Sequence, residues 1–407
     1  MLTPTSQTND PKRRTSLQVG GSVAKLVDEV HQVASLPLER ARMLPPPAYT
    51  SRDFAELERK LIFEKGWLCI GRTEQMPSPG DYIAHHIAGQ PIIAIRQKDN
   101  SIETFSNVCL HRCTTLADGV GHLRGALVCP YHGWSYSYDG VLRATPYSEM
   151  QRSSECKSGQ MRLRKFRTET WNSWIFVTLD SAPKPLAPQL AGLLAHMPDL
   201  GLERYENIVI RDEVWDVNWK LLTENFIEAY HVFMVHPKTI EPWCSTKAAQ
   251  FVEGGAAYTL HLCPTVPGKT MQMVQVDHSS PSNIPGSDPN FGIDFCIFPS
   301  FMAAGDRHQM WWMALQPMGP ERVTVRYGFC VTPESLLDGT REDIAREAAE
   351  WLDSANGEDK AIISRVMRGI AGPITDLGTL GGPQDRPVWE FNRYIDRMLH
   401  KPIGSSP

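Results

Sequence analysis

Between Asn107 and Tyr138 the chain carries a Cys-x-His pair and a Cys-x2-His pair, Cys109 with His111 and Cys129 with His132, separated by seventeen residues. No other feature constrains the fold as strongly. Two thiolates and two imidazoles have to be gathered from two places, and a β-hairpin tip can offer one Cys and one His at a time. Pro130 stiffens the second tip, and Gly133 lets the backbone come close to sulfur. Such a ligand set serves either a structural zinc or a [2Fe–2S] cluster in which sulfur holds one iron and histidine the other. Zinc fingers usually pair Cys with Cys and His with His. Here each pair is mixed, which favours the cluster and single-electron transfer.

A chain of 407 residues is longer than a lone electron carrier needs and suggests two or three domains. A net charge of -5, with no basic run after the first fifteen residues, argues against a nucleic-acid surface. No apolar run approaches the ~18 residues of a membrane span. Nine scattered cysteines, two of them claimed by the cluster, fit a reducing cytoplasmic compartment better than a disulfide framework. Lys12, Arg13 and Arg14 are not followed by an apolar stretch, so no secretory signal is expected.

Residues 1–22 read as a flexible tail. Residues 23–65 read as N-terminal helices, over 24–43 and 51–65, that pack on the rest of the chain or on a neighbouring subunit. In the second, Ser51 caps, and Phe54, Leu57, Leu61 and Ile62 share a face. Residues 66–168 alternate in short strands broken by Asp99-Asn100 and Asp139-Gly140 turns, which describes a small all-β domain. From 169 to 407 strands are expected at 173–179, 207–215, 257–262, 293–298, 309–316 and 322–331, with helices at 218–235, 334–352 and 358–370. The fold class is therefore α+β, with a twisted antiparallel sheet covered by helices. Pro/Gly-rich loops at 264–268 and 280–289 have the length of covers over a site.

A second constellation lies in residues 217–237. His231 and His236 are five apart, and Glu228 precedes the first by three. On an ideal helix a five-residue step leaves two side chains roughly 140° apart. Both can reach one metal only if the helix is distorted or ends at His236, and Pro237 gives it reason to end.

The first stretch resembles the loops of Rieske oxygenases, the ring-hydroxylating enzymes and their relatives, with Cys-x-His-Arg followed by Cys-Pro-Tyr-His-Gly-Trp. It departs at Cys113, where the family commonly has a small residue, usually Gly. Tyr131 between Cys129 and His132 leaves Cys113 without the disulfide partner of respiratory Rieske proteins, so it reads as a small buried thiol. The second stretch, Asn-Trp-Lys then Glu-Asn-x2-Glu-x-Tyr-His-x4-His, is similar to the mononuclear iron segment of the same family. The resemblance covers roughly Tyr49 to Leu399.

What it implies is an N-terminal Rieske domain with a [2Fe–2S] cluster on Cys109, His111, Cys129 and His132, and a catalytic domain. There Fe(II) sits on His231, His236 and one carboxylate in a facial triad with open positions. The carboxylate is expected at Asp359, in a first helical turn capped by Asn356, with Asp353 as second choice; acids in a first turn also simply favour the helix dipole. Glu228 falls at the family's bridging acid. It is Asp in many aromatic-ring dioxygenases and Glu in relatives that oxidise quaternary ammonium compounds. Its implied task is to join His231 to a cluster histidine, His132, of a neighbouring subunit, and hence a homotrimer. Electrons would come from NAD(P)H through a separate reductase, with or without a ferredoxin, because the chain shows no dinucleotide-binding pattern.

The implied function is O2-dependent hydroxylation or demethylation of a quaternary ammonium or aromatic compound. Phe226, Tyr230, Phe233 and Trp311 are candidate pocket residues, although large aromatic residues equally suit a core. The alternatives are a cis-dihydroxylating alpha subunit in aromatic compound catabolism and, further off, an electron-transfer protein without oxygenase activity.

Overall fold

The alternating runs that follow Gly66 become strands in the computed structural model, which describes residues 21–147, 161–197, 200–264, 273, 291–336, 340–373 and 377–400. The strands are β1 (Leu68–Arg72), β2 (Asp81–Ile87), β3 (Gln90–Arg96), β4 (Ile102–Ser106), β5 (Val120–His122), β6 (Leu127–Val128), β7 (Ser135–Tyr136), β8 (Leu142–Ala144), β9 (Lys165–Trp171) and β10 (Trp174–Thr178). Seven of them form an antiparallel sheet in the order β1-β10-β9-β4-β3-β2-β5, and β6-β7-β8 form a small separate one. Ile93, Ile95, Phe105, Leu142 and Tyr136 fill the space between. The expected boundary at 168/169 falls inside β9, and β10 hydrogen-bonds to both β1 and β9. This sheet therefore runs to Thr178. The strand expected at 173–179 is β10; its residues are buried on both faces, so its uniform apolarity gave no alternation to show which sheet it joins.

The second sheet is built from β11 (Glu206–Trp215), β12 (Gln250–Phe251), β13 (Tyr258–Pro264), β14 (Phe291–Ile297), β15 (Phe301–Gly305), β16 (Gln309–Pro317) and β17 (Val323–Val331). Its order is β11-β17-β16-β15-β14-β13-β12, antiparallel throughout. Both faces are covered. On β16, Met310, Trp312 and Ala314 pack with Trp171, Trp174 and Phe176 of the first sheet, while Trp311, Met313 and Leu315 pack on the helical side. That two-sided burial is why Gln309–Pro317 reads as a continuous apolar run. The strand β15, Phe-Met-Ala-Ala-Gly, has no polar alternation and was not expected.

The helices are α1 (Gly21–Ala34), α2 (Pro47–Thr50), α3 (Arg52–Glu58), α4 (Leu186–Gln189), α5 (Ala191–His196), α6 (Trp219–Ile227), α7 (Val232–Val235), α8 (Arg341–Ile370) and α9 (Arg386–Leu399). Ser51 caps α3 as expected, accepting from Phe54 N at 3.2 Å. The expected helix over 24–43 stops at Ala34, with Pro37 close behind. The N-terminal segment packs on this chain's own α9: Trp389 Nε1 donates to the Leu36 carbonyl at 2.8 Å and Asn392 to that of Arg42 at 3.1 Å.

Two expected helices, 334–352 and 358–370, are one 30-residue helix, α8, capped by Thr340. Gly357 inside it costs about 1 kcal/mol, but Ile344, Ala348, Leu352, Ala355, Asp359 and Ile363 form one buried stripe that carries the helix through. Asn356 is therefore no cap, and Asp359 lies mid-helix rather than in a first turn. The tail up to residue 20 and almost all of the loops at 264–268 and 280–289 lie outside the described residues.

Candidate metal centres

Two loops carry the first ligand set, and they share one backbone design. The Cys109 N–H donates to the Thr114 carbonyl and the Cys113 N–H returns to Cys109; the Cys129 N–H donates to the Trp134 carbonyl and the Gly133 N–H returns to Cys129. In both loops the fourth residue after the cysteine is left-handed, at φ 55° for Cys113 and 70° for Gly133. The second loop is the tip of the β6–β7 hairpin, and a Val108–Thr115 bridge closes the first.

Cys109 and Cys129 are buried near one another, while His111 and His132 are exposed with ring centroids 4.6 Å apart. His111 stacks on Trp134 at 4.8 Å, and the Tyr136 hydroxyl lies 3.3 Å from Cys109 Sγ. Burial works against a Cys129 thiolate, but the N–H groups of Tyr131 and His132 outweigh it and hold the thiol below its ordinary range. A single tetrahedral metal needs all four ligand atoms roughly 3.5 Å from one another. Here the two thiols are neighbours and the two imidazoles are neighbours. The arrangement fits a cluster with two irons. Cys113 is exposed, not buried as its sequence context suggested.

The second set begins with a break in a helix. The expected helix over 218–235 stops at Ile227; Glu228 is extended at φ -114°, ψ 149°, and α7 restarts at Val232. Glu228 makes the break: its Oε2 accepts from the N–H groups of Tyr230 and His231, the latter at 3.1 Å, while its Oε1 accepts from His231 Nδ1 at 2.5 Å. His231 and His236 are thereby brought to 5.2 Å between ring centroids, a proximity an unbroken helix would not allow. Glu358 accepts from His236 Nδ1 at 2.7 Å and from Thr239 Oγ1 at 2.6 Å.

With both Nδ1 atoms tied to carboxylates, both Nε2 atoms face Asp359 Oδ1, at 3.7 Å for His231 and 3.0 Å for His236. Asn225 Nδ2 fixes that same oxygen at 2.8 Å. Burial disfavours a charged His236, but Asp359 and Glu358 outweigh it and raise its pKa. Ligand atoms of His231, His236 and Asp359 all lie within 4.8 Å, a donor set suited to a ferrous ion with open positions. Asp353 instead pairs with Arg211 at the surface. A further trio, His31, Asp396 and His400, ties α1 to α9 in solvent.

A cavity of about 710 Å³, counted with its mouth, opens beside this trio. Phe226 and Trp311 line it, their ring centroids 4.9 Å apart, together with Trp243, Trp351, Cys244, His261, Cys263 and Asp294. Tyr230 and Phe233, also expected there, are 48% and 45% exposed and lie outside the lining, because the turn after Glu228 swings them to the surface. Burial pushes His261 down to about 4, helped by His231 and opposed by its contact with the Ile227 carbonyl, so it brings no positive charge to the cavity. Glu358 stands next to Asp359 in sequence and could have been suspected. His261 and Asp294 are legible only from the pairing of β13 with β14.

Residues 66–166 match the Rieske [2Fe-2S] domain family and residues 200–401 the ring hydroxylating alpha subunit (catalytic domain) family. Solved structures share the fold. The quaternary ammonium Rieske monooxygenase CntA superposes at TM-score 0.78 and 20% identity, over 92% of this chain and 98% of that one. Naphthalene 1,2-dioxygenase from Rhodococcus sp. does so at 0.75 and 20%, over 94% and 99%.

The glycine betaine monooxygenase oxygenase subunit of Pseudomonas aeruginosa is 30% identical over 387 residues, 88% of this chain and 89% of that protein. The carnitine monooxygenase oxygenase subunit of Acinetobacter pittii is 30% identical over 356 residues, 80% and 84%. Choline monooxygenase of Spinacia oleracea is 25% identical over 392 residues, 93% and 82%. This chain belongs to the Rieske non-heme iron oxygenases, the family of ring-hydroxylating alpha subunits. It is an oxidoreductase with a [2Fe–2S] cluster and a non-heme iron, and a reductase supplies its electrons. Among the described residues no helix is long and apolar enough to cross a membrane.

Proposed function

We propose that this chain is the terminal oxygenase that hydroxylates or demethylates a quaternary ammonium compound. The observation that carries the reading is an aromatic cavity, walled by Phe226, Trp243, Trp311 and Trp351, directly beside the two histidines and the carboxylate. Aromatic faces attract a methylated ammonium and exclude water from it. Relatives about as long as this chain are named as glycine betaine and carnitine monooxygenase subunits, which supports the same class. Cys109, His111, Cys129 and His132 would hold the cluster, and His231, His236 and Asp359 the iron. Bound there, iron supplies oxygen activation at the positions the protein leaves free. Glu228 and Glu358 orient the two imidazoles, Asn225 orients Asp359, and the tryptophans keep the reacting carbon out of water.

Glu228 would also receive a cluster histidine of a neighbouring subunit in a homotrimer. What supports this is that His111 and His132 are exposed on one subunit, free to face another. A ferredoxin between reductase and oxygenase, and a cytoplasmic location, belong to the same reading. None of the eight cysteines among the described residues is in a disulfide, in keeping with a reducing compartment. The test is product analysis with reductase, NAD(P)H and O2 on choline, glycine betaine, carnitine and a panel of aromatic acids. Oxidation of an ammonium compound is expected. A cis-dihydrodiol as the sole product would replace the reading with the aromatic one, which the same cavity would also suit.

A further inference from the structure

The strand β14 alternates. Phe295 and Ile297 belong to the core shared with the first sheet, and Asp294 and Cys296 turn toward the helices. Across the sheet Asp294 is in register with His261 on β13 and with Ala304 on β15, and Ala304 with Trp311 on β16. All four line the cavity, with the small Ala304 side chain leaving space between carboxylate and indole. One oxygen of Asp294, Oδ1, is buried and makes no hydrogen bond. The described lining residues include no Lys or Arg, and the other lining acids, Glu228 and Asp359, are committed to His231 and His236.

An ionised carboxylate with one oxygen left this way is expensive, and burial, with Cys244 and Glu228 adding to it, holds the Asp294 pKa well above its ordinary range while the cavity is without a positive charge. A natural compensation is a cation brought in from outside. We propose that Asp294 is the charge-recognition residue of the substrate cavity, holding a quaternary nitrogen between its carboxylate and the face of Trp311. This rests on the substrate class proposed above. A quaternary nitrogen has no N–H to donate, so the contact is Coulombic on one side and cation–π on the other, both strengthened by desolvation. A neutral compound of the same shape leaves the carboxylate unpaired.

The experiment is calorimetric titration of the anaerobic holoenzyme with choline, glycine betaine and carnitine, each paired with its neutral carbon isostere, such as 3,3-dimethylbutan-1-ol for choline. In the wild type the best-bound ammonium compound should bind at least roughly tenfold tighter than its isostere, a comparison that needs no variant. D294N, checked for its cluster spectrum and iron content, should weaken the ammonium member roughly tenfold or more and leave the isostere within about twofold. Equal weakening of both members, or no weakening, overturns the assignment of Asp294 while leaving the substrate class standing. Failure of the wild type to bind any of the three ammonium compounds overturns the substrate class, and this inference with it.

Discussion

Cys113 occupies the left-handed position that Gly133 fills in the companion loop, and its side chain is exposed. A non-glycine residue there is held against its backbone preference at about 1 kcal/mol or more. Cys113→Gly should therefore raise the melting temperature slightly and leave the visible spectrum of the cluster unchanged; a lower melting temperature would count against the strain. Glu224 is a different kind of residue. Burial pushes its carboxyl up to about 7, although the Tyr49 hydroxyl, which donates to it at 2.7 Å, and Lys220 both pull it down. The folded protein thus holds this proton more tightly than the unfolded chain does. Its contribution, on the order of 3 kcal/mol, is complete below pH 4.5 and disappears as pH rises through 7. Thermal melts from pH 5 to 8 should show a downward slope that Glu224→Gln flattens.

The elements matter through where they break and where they refuse to. The Glu228 carboxylate serves as end of α6, cap of the next turn and anchor of His231, so its replacement is graded. Glu228→Gln should keep both metals and slow reductase-driven turnover; unchanged turnover would remove it from the electron route. Glu358→Ala removes the anchor of His236 and should weaken mononuclear iron binding roughly 10- to 100-fold, read by iron assay, with the cluster spectrum intact. Gly357 lies inside α8 with nothing within 4 Å of where a Cβ would be. Gly357→Ala should stabilise the protein by about 1 kcal/mol, seen as a rise in the thermal midpoint at constant iron content.

At the scale of the molecule, one [2Fe–2S] loop lies between β4 and β5 of the first sheet and the other at the tip of β6–β7 in the small sheet, while the His231–His236–Asp359 group lies between the second sheet and α8. The proposed trimer joins the two across a boundary. Separately inactive His132→Ala and His231→Ala chains should regain activity when co-expressed, because one mixed interface pairs an intact cluster with an intact iron site. No recovery, in assemblies shown by mass to be mixed, would place electron transfer within a single chain.

The four residues expected to hold the cluster and the two histidines could be proposed from their spacing, and Asp359 from the resemblance; the structure brings His231, His236 and Asp359 together. Strands exposed on one face were legible too, since alternation follows from the pleat. β15, buried on both faces, carries no such signal and was missed, whereas β10 was expected as a strand but not as part of the first sheet. Local propensity suggested a helix end near Gly357 and no break at Glu228, and packing reversed both: a continuous buried stripe outweighs one glycine, and one carboxylate accepting two backbone N–H groups ends a helix. Asp294 had no local signature at all. It acquires meaning only when β13, β15 and β16 are laid beside it, because a cavity is a property of neighbours distant in sequence.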